Sequence, residues 1–93
     1  MNHLIIVKLK RNVTNMDEII QQIEKLFEKS LELDGIHNIK IHKNIMKFPN
    51  RYDFMIDIEM EEESLKLFDN SKIHHIWKEK YSHYLEDKII FDY

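Results

Sequence analysis

The segment His3–Leu9 (HLIIVKL) restricts the fold of this chain more than any other. Read as a strand, it puts Ile5, Val7 and Leu9 on the side of His3, and Leu4 and Ile6 on the other. A strand that is apolar on both faces must be covered on both. The 93 residues suffice for one domain, 1–93, and not for two. A chain this short buries only roughly 60–65% of the surface that its unfolded form exposes. It has no Cys, so neither disulfides nor thiolate metal sites can supplement its core. Association with a second copy is the ordinary supplement that remains.

The following segments alternate in type. Asn12–Asn15 carries turn and cap residues, with Thr14 or Asn15 as N-cap and Asp17 and Glu18 in the first helical turn. Met16, Ile19, Ile20, Ile23, Leu26, Phe27 and Leu31 then recur at helical spacing, and Asp34-Gly35 marks the end. Ile36–Ile45 alternates Ile39, Ile41 and Ile45 against polar residues, which predicts a strand with one polar side. After a turn at Phe48–Arg51, Tyr52–Met60 sets Phe54, Ile56, Ile58 and Met60 against Asp53, Met55, Asp57 and Glu59. A second helical region starts at Glu61, breaks at Asn70-Ser71 and resumes through Ile73, His74, Trp77, Tyr81 and Tyr84. Lys88–Tyr93 reads as the closing strand.

The order β-α-β-β-α-β predicts an α+β, ferredoxin-like domain, with two helices on one face of a four-stranded antiparallel sheet. The other face would expose Leu4, Ile6, Met55, Ile89, Phe91 and Tyr93. Apolar surface on that scale marks an interface, and a second copy packed sheet to sheet is its simplest cover. The expected partner is therefore the chain itself, in a homodimer.

Other classes find little support. The net charge is −3, from 17 acidic and 14 basic residues with the signs interleaved, so no basic stripe suggests nucleic acid. No stretch approaches the ~20 apolar residues that span a bilayer, and the N-terminal apolar run meets Lys8 too soon for a signal peptide. No role at a membrane is expected, and the expected compartment is the cytoplasm. One Gly rules out a glycine-rich phosphate loop, the serines lack a nucleophile context, and no His/Asp/Glu set has metal-ligand spacing. Asp57, Glu59, Glu61, Glu62 and Glu63 read as a solvated strand face running into a helix start.

His3–Lys10, Tyr52-Asp53 with the strand that follows, Phe68–His74 with Trp77, and Lys88–Tyr93 lie in an order that resembles the stress-responsive dimeric α/β-barrel (Dabb) domains. The resemblance spans essentially the whole chain. It implies a ferredoxin-like protomer that dimerises through its sheet into a barrel, usually without a cofactor. A plant member of that family is a polyketide cyclase that closes a ring in an aldol-type step between sheet and helices. Its catalytic groups are a His at the start of the second helix, a nearby Tyr and a further His on the first strand. By position, His74 matches the first and His3 the last. The Tyr position is Phe68 here, and the family's His-Pro pair is Ser71-Lys72. Both departures shift the expectation from cyclase turnover toward binding.

His3 and His74 are thus the candidate catalytic residues. One imidazole would abstract a proton next to a carbonyl while the other donates to the enolate oxygen. Ile5, Val7, Phe27, Phe68, Trp77 and Tyr81 are the candidate lining of a pocket for a small apolar or aromatic metabolite. The same residues also fit a plainer account, with histidines that tie the strand to the helix and aromatic rings that fill a small core. Two alternatives stay open: a non-catalytic structural or interaction module, and a dimeric-barrel monooxygenase or haem-handling protein.

Overall fold

The computed structural model describes residues 1–93. Its elements are β1 (Asn2–Leu9), α1 (Met16–Glu28), β2 (Ile36–Lys43), β3 (Phe54–Met60), α2 (Leu65–Asp69), α3 (Lys72–Ile76) and β4 (Leu85–Asp92). The sheet is antiparallel with strand order β2-β3-β1-β4. β1, apolar on both faces, lies inside the sheet as its composition requires.

Register decides which face each side chain takes, because directly opposed residues share a face. Ile5 opposes Ile56 on β3 and Ile90 on β4, while Ile6 opposes Met55 and Ile89. The first set faces the helices and the second faces away. On the helix side, Ile5, Val7, Phe54, Ile56, Ile58 and Met60 are buried against Ile19, Ile20, Ile23, Leu26 and Phe27 of α1. Each such side chain contributes roughly 1.5–3 kcal/mol through burial.

The second helical region is less regular than its periodicity predicts. Ser71 has extended backbone and its hydroxyl accepts from the His74 N–H at 3.2 Å, so it caps α3 and separates it from α2. After Ile76 the chain widens into a π turn, Trp77–Tyr81, and closes with a 3₁₀ turn, Ser82–Tyr84. The wide turn carries Trp77 and Tyr81, four residues apart, to the same buried side.

Three local expectations need correction. α1 stops at Glu28 and tightens into a 3₁₀ turn at Lys29–Glu32. That change of phase leaves Leu31 45% exposed and buries Ser30, whose hydroxyl donates to the Phe27 carbonyl at 2.5 Å. Asn15 occupies the N-cap of α1, but neither its side chain nor any other caps the helix; its amide points at Glu18 instead. β2 ends at Lys43, so Ile45 lies beyond the strand and is 88% exposed. Gly35 does mark the turn before β2. Its φ is +80°, and a Cβ there would stand 1.9 Å from the Ser64 hydroxyl.

The outer face of the sheet carries no helix. Ile89, Phe91 and Tyr93 are 46%, 57% and 66% exposed there, and Ile6 and Met55 are half-buried. Leu4 on the same face is buried even without a partner. The β2 half of this face is polar, with Asn2 donating to Asp57 at 2.9 Å and His42 3.5 Å from the same carboxylate.

Candidate functional site

β1 and β4 run antiparallel with His3 opposite Asp92, so both side chains leave the sheet on the helix side. His3 Nδ1 and Asp92 Oδ1 are 2.5 Å apart. The imidazole is 5% exposed, whereas the carboxylate keeps an open flank. A carboxylate held against Nδ1 favours the tautomer with the proton on that nitrogen, which leaves Nε2 as the acceptor. Sequence reasoning did not single out Asp92. The signal was available only through register: alternation put Asp92 opposite in facing to Phe91, but pairing with His3 required knowing that β4 lies beside β1.

The second candidate reaches the same place from the helices. Capping by Ser71 starts α3 where the His74 side chain can turn back toward the sheet, and 15% of it is exposed. Phe68 stands in contact with both imidazoles. His3 meets its ring edge-on at 5.8 Å between centroids, and His74 does so at 5.4 Å. His3 and His74 therefore lie on one side of the sheet and flank a common ring. Burial pushes the His74 imidazole below its ordinary 6.5. Asp69, 3.9 Å away, opposes that shift, while the positive charges of Lys78 and Lys88 add to it.

The other candidate residues extend inward from Phe68. Phe27 lies 6.1 Å from Phe68 and 5.3 Å from Trp77, and Trp77 stacks on Tyr81 at 6.2 Å. Ile5, Val7, Phe27, Phe68, Trp77 and Tyr81 are all 0–3% exposed. In the single chain these rings and aliphatic groups fill the space between helices and sheet. The depression next to His74 opens outward instead. It measures about 560 Å³ and is lined by Asp69, Asn70, Ser71, His74, Lys78 and other polar residues, with no apolar side chain.

No tyrosine hydroxyl takes the position that Phe68 leaves without one. Tyr52 donates to Asp87 at the far end of β4, a bond that raises the phenol above its ordinary 10.0. Tyr81 donates to Gln22 at 3.4 Å. Of the other histidines, His75 lines the same depression as His74 but pairs with Glu79 at 3.2 Å, His37 pairs with Glu61 at 3.7 Å, and His83 lies against Tyr84. No three His, Asp or Glu side chains gather into a metal-binding set.

Chemically, the site holds an imidazole oriented by a carboxylate and a second imidazole biased toward its neutral form, on either side of an apolar ring. Such a pair can take a proton from a carbon acid and hydrogen-bond the oxygen that becomes negative.

No protein-family model matches this chain, and no curated protein matches it in sequence. Solved structures do match it over nearly its whole length. A dimeric protein of unknown function and ferredoxin-like fold from Bacteroides fragilis superposes with a TM-score of 0.79 at 16% identity, covering 99% of this chain and 92% of that one. A Dabb family protein with a ferredoxin-like fold from Mesorhizobium loti gives 0.68 at 12% identity, with 99% and 92% covered. The hydroxynitrile lyase of Passiflora edulis gives 0.76 at 10% identity, with 99% and 89% covered. The chain therefore has the ferredoxin-like fold that these proteins share.

Proposed function

We propose that this chain is a Dabb-type domain that pairs two open sheet faces in a homodimer and handles a small carbonyl metabolite at the His3–Asp92–His74 cluster, by acid/base chemistry without a cofactor. The observation that carries the reading is the 2.5 Å contact of His3 Nδ1 with Asp92, beside a second imidazole on the same phenyl ring. In this reading Asp92 orients His3, and His3 Nε2 accepts a proton from the carbon next to the carbonyl. His74, neutral near pH 7, donates its N–H to the enolate oxygen. Phe68, fully buried, spaces the two imidazoles and does not itself touch the ligand. The helix–sheet interior is filled, so the ligand sits at the rim between α3 and the helix-facing side of β4, where Lys88 and Ile90 are exposed. A Dabb protein and a lyase among the structural neighbours are in keeping with this assignment.

The test is proton exchange in D₂O. A panel of aryl and alkyl ketones is incubated with the protein, and loss of the α-proton signal is followed by NMR. Wild-type protein should accelerate exchange for a subset, and His3→Gln or His74→Gln should lower that acceleration roughly 10²–10⁴-fold. Lack of acceleration across the panel, with the imidazole resonances unmoved by any compound, would sink the catalytic reading. The filled interior around Phe27, Phe68 and Trp77 specifically favours the alternative of a non-catalytic module, which that outcome would leave standing.

A further inference from the structure

The β2–β3 connection, residues 44–53, departs most from its expected pattern, and what it exposes is chemically coherent. Alternation predicts Ile45 on the buried side of β2. Instead the strand stops at Lys43, and Ile45, Met46 and Phe48 are 88%, 45% and 52% exposed within four residues. The loop is built to hold that arrangement. Asn44 N donates to the Asp53 carbonyl at 2.9 Å, and the Asn44 amide donates to the Tyr52 carbonyl at 2.9 Å, closing the neck. Met46 N donates to the Asn44 side chain at 2.8 Å, and Lys8 Nζ donates to the Pro49 carbonyl at 2.6 Å.

Cations share a cleft with two of these side chains, Met46 and Phe48. The cleft of about 320 Å³ between this loop and the β1–α1 turn is lined by Lys8, Lys10, Arg11, Lys47 and Arg51, with Asp53 as its one acid. Five positive charges and one negative make +4 here in a chain of net −3, so the rest of the molecule carries −7. Lys8 is engaged by Pro49 and lies 4.0 Å from Glu86, and Asp53 is engaged by the Leu9 N–H at 2.7 Å. Lys10, Arg11, Lys47 and Arg51 take no part in the ion pairs of the structure. Arg51 lies over the Phe48 ring at 5.5 Å, which keeps cation and aromatic group side by side.

We propose that this loop is a docking surface for an anionic lipid bilayer. Ile45, Met46 and Phe48 enter the headgroup region, while Lys10, Arg11, Lys47 and Arg51 meet the acidic headgroups. A bilayer interface rewards apolar groups and cations together. A second copy set against this loop by a two-fold axis would bring two loops of +4 together. The charge split of +4 against −7 orients the molecule loop-first toward a negative surface. The proposal departs from the expectation that the chain has no role at a membrane. No helix is long and apolar enough to cross a bilayer, and the proposal concerns attachment at its surface.

The test is co-sedimentation of the full chain with phosphatidylcholine vesicles, either pure or containing about a third phosphatidylserine. Wild-type protein should sediment with the phosphatidylserine vesicles, less so as salt rises, and should stay in solution with pure phosphatidylcholine. The double variant K47E/R51E should bind at least about tenfold more weakly, since each cation at such a surface is worth about fivefold. I45S/M46S should also weaken binding with every charge intact. All four positions are exposed, so circular dichroism should be unchanged. Failure of wild-type protein to bind, or undiminished binding by K47E/R51E, overturns the proposal. So does loss of dimer in K47E/R51E, which assigns the loop to contact between copies. Tighter binding to a single-stranded oligonucleotide than to the acidic vesicles assigns it to nucleic acid.

Discussion

His3 and Asp92 lie 89 positions apart in the chain, yet they stand directly opposite each other across β1 and β4 and meet at 2.5 Å. The pairing fixes both side chains to the sheet itself: strands are stiff, so the imidazole is aimed by backbone pairing rather than by a loop. His74 arrives from a capped helix start and completes the cluster around Phe68.

The helix–sheet core sets the stability of this arrangement. Ile23 is 0% exposed, and Ile23→Ala should cost about 2–5 kcal/mol. Leu31 carries the same residue class in the same apolar stripe but is 45% exposed, so Leu31→Ala should stay within about 0.5 kcal/mol. Urea unfolding of the two variants checks the contrast. Equal costs would contradict the end of α1 at Glu28.

The outer sheet face should be the dimer interface. Light scattering at micromolar concentration should give twice the 11.5 kDa chain mass, with roughly 1,200–2,000 Å² buried in total. Phe91→Asp or Ile6→Asp should give monomeric or unstable protein, because each puts a charge into the apolar half of that face. A stable wild-type monomer would remove this part of the account.

His74 should make stability pH-dependent. Burial lowers its pKa from 6.5, so between the lowered value and 6.5 the folded chain binds fewer protons than the unfolded one. Its contribution is fully present above 6.5 and is lost as pH falls through the folded value. Unfolding free energy measured from neutral to mildly acidic pH should fall less steeply in His74→Gln than in wild type. Identical slopes would show that the ring is not desolvated in the fold.

Most of the architecture was legible in the residues, and the reasons are physical. Period-2 alternation in Phe54–Met60 and helical spacing in Ile19–Phe27 each have one buried face, which fixes element type and facing together. The lone Gly marked its turn because only a residue without Cβ fits beside Ser64. His3 and His74 became candidates through the family resemblance, which matched their positions to its catalytic histidines. Asp92 was not legible, because its role depends on strand register, a long-range property. The exposed Ile45 and Leu31 also escaped prediction. Periodicity says where a side chain would point if the element continued, and both elements stop one turn or one pleat too soon.

The central claim is that Asp92 holds His3 as a proton acceptor beside His74. A long-range ¹H–¹⁵N correlation spectrum of the imidazoles, recorded at mildly alkaline pH, tests this most directly. The account predicts that His3 carries its proton on Nδ1 with Nε2 bare, and that Asp92→Asn disturbs this tautomer while leaving the His74 signals in place. A wild-type His3 protonated on Nε2, or one whose signals ignore Asp92→Asn, would contradict it.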